Sequence, residues 1–258
     1  MRGLKRIGLC LVATVIASAL WAGVAAAEAP EFGRCLHAEK VGKTYTGKFK
    51  NSSCTEEAAV AEREKKGKFE WFPGAAKVHQ TTSGGKGQLE TVGKLGVECQ
   101  TETSTGEYSG AKEVKNVVVT FEGCESAGIK CSTAGSAVGE LVTKTLEGIV
   151  GFEDKAKKKT AFDLYPQGKT GLFIEFSCSG LVIAVRGSIL VPIKSDKMLL
   201  SGTLKYKATK GVQQVQKFEG MPKDVLETTH QGLPYEESGQ NITTTLTNEE
   251  KLELNAVV

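Results

Sequence analysis

The residues of this 258-residue chain that could do chemistry are three histidines, seven cysteines and many glutamates, set against only four aspartates. A histidine-activated nucleophile would have to use His37, His79 or His230. His37 closely follows Cys35 in loop-like sequence, His79 sits in the alternating run 76–82, and His230 precedes a Gln231-Gly232 turn. None stands in a recognisable nucleophile setting and Gly-x-Ser-x-Gly is absent, so all three read as ordinary surface or edge histidines. A carboxylate pair could run glycoside hydrolysis without histidine. Glu175 draws attention because Ile174 and Phe176 flank it, but strand alternation puts Leu172, Ile174, Phe176 and Cys178 on one face and leaves Glu175 with Ser177 on the wet one. Asp154, Asp163, Asp196 and Asp224 are too dispersed for an aspartate-rich calcium loop. The glycines in Ser83-Gly84-Gly85-Lys86-Gly87 predict a hairpin turn rather than a phosphate cradle.

The cysteines say more about location than about catalysis. Arg2, Lys5 and Arg6 precede an apolar run over 7–24 that ends in Ala25-Ala26-Ala27, the pattern of a secretory signal peptide cut after Ala27. A retained anchor is the weaker alternative, since the run approaches membrane-spanning length. Lipid attachment is not favoured, because Cys10 lies near the start of the run and follows Leu9. Cleavage removes Cys10 and leaves Cys35, Cys54, Cys99, Cys124, Cys131 and Cys178, an even set that predicts three disulfides in an oxidising compartment. Sequence leaves many connectivities open. The spacing favours Cys124 with Cys131 as a hairpin staple, Cys35 with Cys54 in the N-terminal segment, and Cys99 with Cys178 across the core. No Cys-x-x-Cys pair and no cysteine–histidine spacing suits redox or zinc chemistry, so neither cofactor nor metal is expected.

Charge narrows the partners. The leader carries three of the 33 basic residues and none of the 30 acidic ones, so the chain beyond residue 27 is formally neutral. That argues against nucleic acid, whose binders carry a basic stripe. The one dense basic cluster, Lys155, Lys157, Lys158 and Lys159 after Glu153 and Asp154, reads first as a solvated hairpin turn and second as an anionic docking site. No integral membrane span is expected after signal cleavage, and nothing in the sequence specifies oligomeric state.

The elements that must position these residues are strands. Thirty glycines, six prolines and short Thr- and Val-rich runs predict an all-β chain, an antiparallel sandwich or open barrel with at most one short helix. The expected division is a signal peptide over 1–27, an N-terminal disulfide-containing segment over 28–75 packed on the rest, and a main β-rich domain over 76–258. Residues 117–121 form a β-branched strand, and 173–178 and 181–185 form two apolar strands across a Ser179-Gly180 turn. Pro192 suits the end of a strand over 188–191. Leu204, Tyr206 and Ala208 alternate with polar residues along a half-buried strand. Ile242, Thr244 and Leu246, then Leu252, Leu254 and Ala256, predict a closing hairpin around Asn248-Glu249-Glu250. Residues 55–65 could form a short surface helix behind a Thr55 cap or a charged loop, and the chain returns to strand over 68–72. Trp71 reads as a core anchor near a disulfide rather than a ligand platform, and the polar stretch 101–110 as a long turn or a recognition loop.

The chain resembles a group of uncharacterised exported bacterial proteins. The likeness rests on Pro30-Glu31-Phe32-Gly33-Arg34-Cys35, on Glu102-Thr103-Ser104-Thr105-Gly106-Glu107-Tyr108, on the Val-rich stretch 116–126 with Cys124, and on Lys217-Phe218-Glu219-Gly220 followed by Thr247-Asn248-Glu249-Glu250. It implies a bacterial, exported chain and no particular activity. The function expected is therefore a non-enzymatic secreted or cell-envelope protein that binds an envelope glycan or a surface protein. A secreted hydrolase using a pair of Glu carboxylates is the alternative.

Overall fold

The computed structural model describes residues 29–194, 197–221 and 223–255; the expected signal peptide over 1–27 lies outside them. The chain opens with β1 (Glu31–His37), β2 (Lys40–Val41) and β3 (Thr44–Tyr45), passes a single helical turn α1 (Arg63–Lys66), and continues through β4 (Phe69–Pro73), β5 (His79–Gly84), β6 (Gly87–Thr91), β7 (Gly96–Cys99) and β8 (Thr101–Tyr108). Then come β9 (Glu113–Glu122), β10 (Glu125–Ser126), β11 (Ile129–Ser132), β12 (Leu141–Val142), β13 (Leu146–Asp154), β14 (Lys159–Pro166), β15 (Leu172–Cys178) and β16 (Leu181–Gly187). The last are β17 (Ile189–Pro192), β18 (Leu199–Tyr206), β19 (Ala208–Thr209), β20 (Val212–Gln213), β21 (Leu226–His230) and β22 (Glu236–Asn255). The chain is all-β and antiparallel, and its barrel is closed, with further strands outside it.

Ladders connect β22, β6, β7, β10, β11, β15, β16 and β21 in a complete ring, which leaves none of these eight strands with an open edge. A second circuit runs from β22 through β5, β8, β9, β13, β14 and β17, with β18 pairing back onto β22 and packing beside β17. Small barrels of this strand number are filled by side chains. One apolar cluster accordingly runs through both, with Leu146, Ile183 and Val191 fully buried in it. Phe32, packed edge-on against Tyr108 with ring centroids 5.2 Å apart, brings β1 into the same cluster.

Several expectations fail for identifiable reasons. The glycines at 84–87 make no hairpin. Strands β5 and β6 lie one after the other along β22, Gly84 facing Thr244 and Gln88 facing Asn241, so one extra residue is accommodated between them. Such a bulge bends a strand, and here it carries the chain from one ring into the other. The turn lies further on, at 92–95, where Lys94 has φ 72°. The closing hairpin is also absent: β22 is unbroken over 20 residues. Its turn-like residues are polar because they satisfy neighbours. Asn248 accepts a 2.9 Å hydrogen bond from the Tyr108 hydroxyl, and Glu250 Oε1 accepts the backbone N–H groups of Ala76 and Lys77. The stretch 101–110 is mostly strand, not loop; it is polar because alternate residues, Glu102 among them, point into a partly polar barrel interior. The helix over 55–65 shrinks to a 3-10 turn over 60–62 and the single turn α1, with no buried residue to anchor either.

All six cysteines beyond residue 27 form disulfides, but two expected pairings are wrong. The bonds are Cys35–Cys54, Cys99–Cys124 and Cys131–Cys178, in place of the expected Cys124–Cys131 and Cys99–Cys178. The registers Glu98↔Glu125, Glu125↔Lys130 and Cys131↔Cys178 set Cys99, Cys124, Cys131 and Cys178 in one row across neighbouring strands. Cys124 does face Cys131 across a hairpin, and the Cys131 N–H donates to the Cys124 carbonyl at 3.1 Å. Each sulfur nevertheless bonds outward to its other neighbour, which ties the hairpin to both flanking strands. The Cys35–Cys54 bond packs with Phe49, Phe69 and Trp71, so Trp71 is part of a small core, its Nε1 donating to Glu31 at 2.6 Å.

Non-reducing peptide mapping should therefore recover Cys99 linked to Cys124 and Cys131 linked to Cys178; a Cys124–Cys131 linkage would contradict the row. Replacing either bonded pair by alanines should lower unfolding free energy by about 3–4 kcal/mol, measured by denaturant titration, because each bond closes a loop of tens of residues.

Candidate functional site

A wide hollow lies among the described residues where the β13–β14 hairpin, the start of the β17–β18 connection, the Cys54 loop and the end of β22 meet. It has a volume of about 630 Å³, within the range of ligand pockets. Its floor is apolar: Ile193, Val215 and Leu254, with Pro192 beside them. Ser53 and Thr55 supply one wall, held there because Asn51 Oδ1 accepts the backbone N–H groups of Thr55 and Glu56 at 3.1 Å and Asn255 Nδ2 reaches the Cys54 carbonyl at 3.4 Å. Opposite stand Thr160 and Ile193, joined by a backbone bond of 3.1 Å and by the Thr160 hydroxyl donating to the Ile193 carbonyl.

The rim is basic. The hairpin turn after β13 is closed by the Lys158 N–H donating to the Lys155 carbonyl at 3.2 Å and the Lys157 N–H donating to Asp154 at 3.1 Å, with Lys158 at φ 52°. That backbone bond, more than the adjacent Lys157 charge, holds the Asp154 carboxyl below its ordinary pKa. Lys157 is engaged by Asp154 at 3.3 Å, whereas Lys158, Lys159 and Lys194 make no ion pair among the described residues. Three exposed lysines thus line a common hollow together with apolar residues. Two carboxylates share the lining, half-buried Glu153 and Glu253, which is 3 % exposed. The arrangement can hold an anionic group by charge and an apolar or sugar face by contact.

The sequence singled out the Lys155–Lys159 cluster but missed its partners Lys194, Glu253 and the Cys54 loop. They come from segments about 35 to 105 positions away in the chain, brought to one place by the β14–β17 ladder and the end of β22. Glu253 carries a faint signal, a charged residue inside Leu252-Glu253-Leu254; alternation assigns it a wet face, which the N-terminal segment covers. The other sequence candidates stay apart. His37 stacks on Phe69, His79 lies exposed 3.6 Å from Glu107, and His230 ends β21. Glu175 is exposed, as alternation requires. No group of three or more His, Cys, Asp or Glu side chains among the described residues is placed to hold a metal ion.

Asp163 is another buried acid that sequence reasoning passed over. It interrupts the apolar run of β14, facing outward beside Ala161, and both faces of this strand are covered: Phe162 and Leu164 line the barrel interior, while Val215 and Phe218 pack over Ala161. Burial, and then the charge of Asp224, raises the Asp163 pKa to about 7, against the opposing effects of Lys169 and Ser188. The folded chain therefore holds a proton that the unfolded chain has released, so stability is greatest below about pH 4 as far as this group is concerned and is lost as pH rises to about 7. The loss is at most about 4 kcal/mol. Asp163→Asn should flatten the unfolding free energy across that window in denaturant titrations at stepped pH; an unchanged slope would show that another group titrates.

No protein-family model matches the chain, and no curated protein and no solved structure is significantly similar to it.

Proposed function

We propose that the chain is a non-enzymatic secreted or cell-envelope protein that binds a surface component through its basic groove. The observation that carries this reading is the convergence of Lys158, Lys159 and Lys194, all without ion pairs among the described residues, on a 630 Å³ hollow with an apolar floor. Long-range attraction to an anionic surface polymer needs unpaired cations, and contact specificity needs a shaped recess. Among the two partners the sequence suggests, an acidic glycan suits the groove best: its negative groups meet the lysines while sugar faces lie on Ile193, Val215 and Leu254. Three disulfides suit an oxidising extracytoplasmic compartment, and no helix among the described residues is long and apolar enough to cross a membrane.

A second reading, a hydrolase using a pair of Glu carboxylates, is favoured by one observation: Glu153 and Glu253 line the same groove. The two readings separate cleanly. Charge reversal at Lys158, Lys159 and Lys194 together should weaken binding to an acidic polysaccharide at least tenfold in calorimetric titration, steepen in effect at low salt, and leave the thermal midpoint unchanged. Binding that ignores these reversals would sink the groove reading. Release of reducing ends that disappears in Glu153→Gln and Glu253→Gln would establish the hydrolase instead.

A further inference from the structure

The circuit containing β5, β8, β18 and β22 encloses a chamber of about 70 Å³ that plays no part in the groove. Most of its wall is apolar, but one patch is not. Thr82, Glu102, Ser104 and Thr244 all line it, and the strand registers explain why they meet. Glu102 faces Gly84 across the β8–β5 ladder, and Gly84 faces Thr244 across β5–β22; one step along, Ser104 faces Thr82. Glu102, Gly84 and Thr244 thus form one inward row with a missing side chain at its centre. A Cβ built on Gly84 would stand 3.0 Å from Glu102 Oε2 and 3.0 Å from the Thr244 methyl carbon Cγ2, so the carboxylate and the Thr244 side chain border the position that the glycine leaves open.

The hydrogen bonding in this patch is incomplete. Glu102 is 4 % exposed and Thr244 equally so. Glu102 Oε1 accepts the Thr82 hydroxyl at 2.6 Å, and Thr82 and Ser104 hydroxyls lie 2.6 Å apart. Glu102 Oε2 and Thr244 Oγ1 have no hydrogen-bond partner among the described residues. Burial raises the Glu102 pKa and the Thr82 hydrogen bond opposes it; no cationic side chain contributes. A buried carboxylate without a counter-charge is costly, and an unpaired buried hydroxyl in the same row adds to the cost.

We propose that this chamber is an internal site for a monovalent alkali cation, with the Glu102 carboxylate as charged ligand and the Thr244 hydroxyl as a neutral one, the Thr82–Ser104 pair fixing the carboxylate. The donor chemistry selects the ion class. All candidate donors are hard oxygens, which excludes soft metals. A single carboxylate matches one positive charge, whereas calcium and magnesium sites draw on more acidic oxygens; bound waters in the chamber would complete the shell of an alkali ion. The volume exceeds what one water needs and is far too small for an organic ligand of the size the groove would take. The site would act as a structural counter-ion that locks the barrel wall at β5, β8 and β22.

The test compares thermal unfolding of the full chain after leader removal in sodium, potassium and choline chloride at equal ionic strength and slightly alkaline pH. A site predicts a higher midpoint in one or both alkali salts than in choline, rising by about 3–5 °C for each tenfold increase in the ion once it is near saturation. Glu102→Gln, which removes the charge, and Gly84→Ala, which fills the gap, should each abolish the dependence. Identical midpoints in all three salts, or a dependence that survives in Glu102→Gln, would overturn the proposal. Should either variant fail to fold, crystals of the unaltered protein grown with rubidium decide the matter: an anomalous peak within coordination distance of Glu102 Oε2 supports the site, and water alone there refutes it.

Discussion

The rest of the structure depends on one continuous strand. β22 runs for 20 residues and pairs with β1, β5, β6, β18 and β21. At about 3.3 Å per residue it is three to four times the length of an ordinary strand. It belongs to both eight-strand circuits, so neither can close without it. Sequential closure of this kind brings the last residues of the described chain beside the first: Asn255 pairs with Glu31 and hydrogen-bonds the Cys54 carbonyl. The basic groove exists because of that closure, since its floor residue Leu254 sits on the far end of the same strand that carries Thr244 in the chamber wall.

Much of the fold was legible in the sequence. The β-branched run over 117–121, the β15–β16 hairpin with Ser179 and Gly180 at positive φ, the Pro192 strand end and the period-two alternation at Leu204 and Tyr206 all stand as read. Legibility failed where a barrel interior is polar or where polar side chains serve a neighbouring strand. Glu102 and Ser104 made an inward-facing strand look like a turn. Asn248 and Glu250 looked like a turn because they spend their polarity on Tyr108 and on the backbone of 76–77. The four-cysteine row shows the same limit differently: sequence proximity identified Cys124 and Cys131 as neighbours, but which neighbour each sulfur bonds is set by flanking strands from residues 96–99 and 172–178.

Buried and exposed charges have separate roles in this account. Glu102 and Asp163 are enclosed by strands, and their energetic demands fall on stability: one faces an interior gap, the other a covered outer face beside Asp224. The lysines at 158, 159 and 194 are exposed and make no ion pair among the described residues, so their field reaches outward. A formally neutral chain beyond residue 27 can still attract an anionic surface when the lysines gathered at one recess, Lys157, Lys158, Lys159 and Lys194, outnumber the carboxylates there, Glu153 and Glu253.

The most direct measurement of the central claim is to fractionate native cells into culture fluid, wall and membrane pools and to locate the chain in each. Retention in the wall pool, with release as salt concentration rises, is the result that an electrostatically held surface-binding protein predicts. Full recovery in the culture fluid at low salt, or in the membrane pool with its leader uncut, would contradict it.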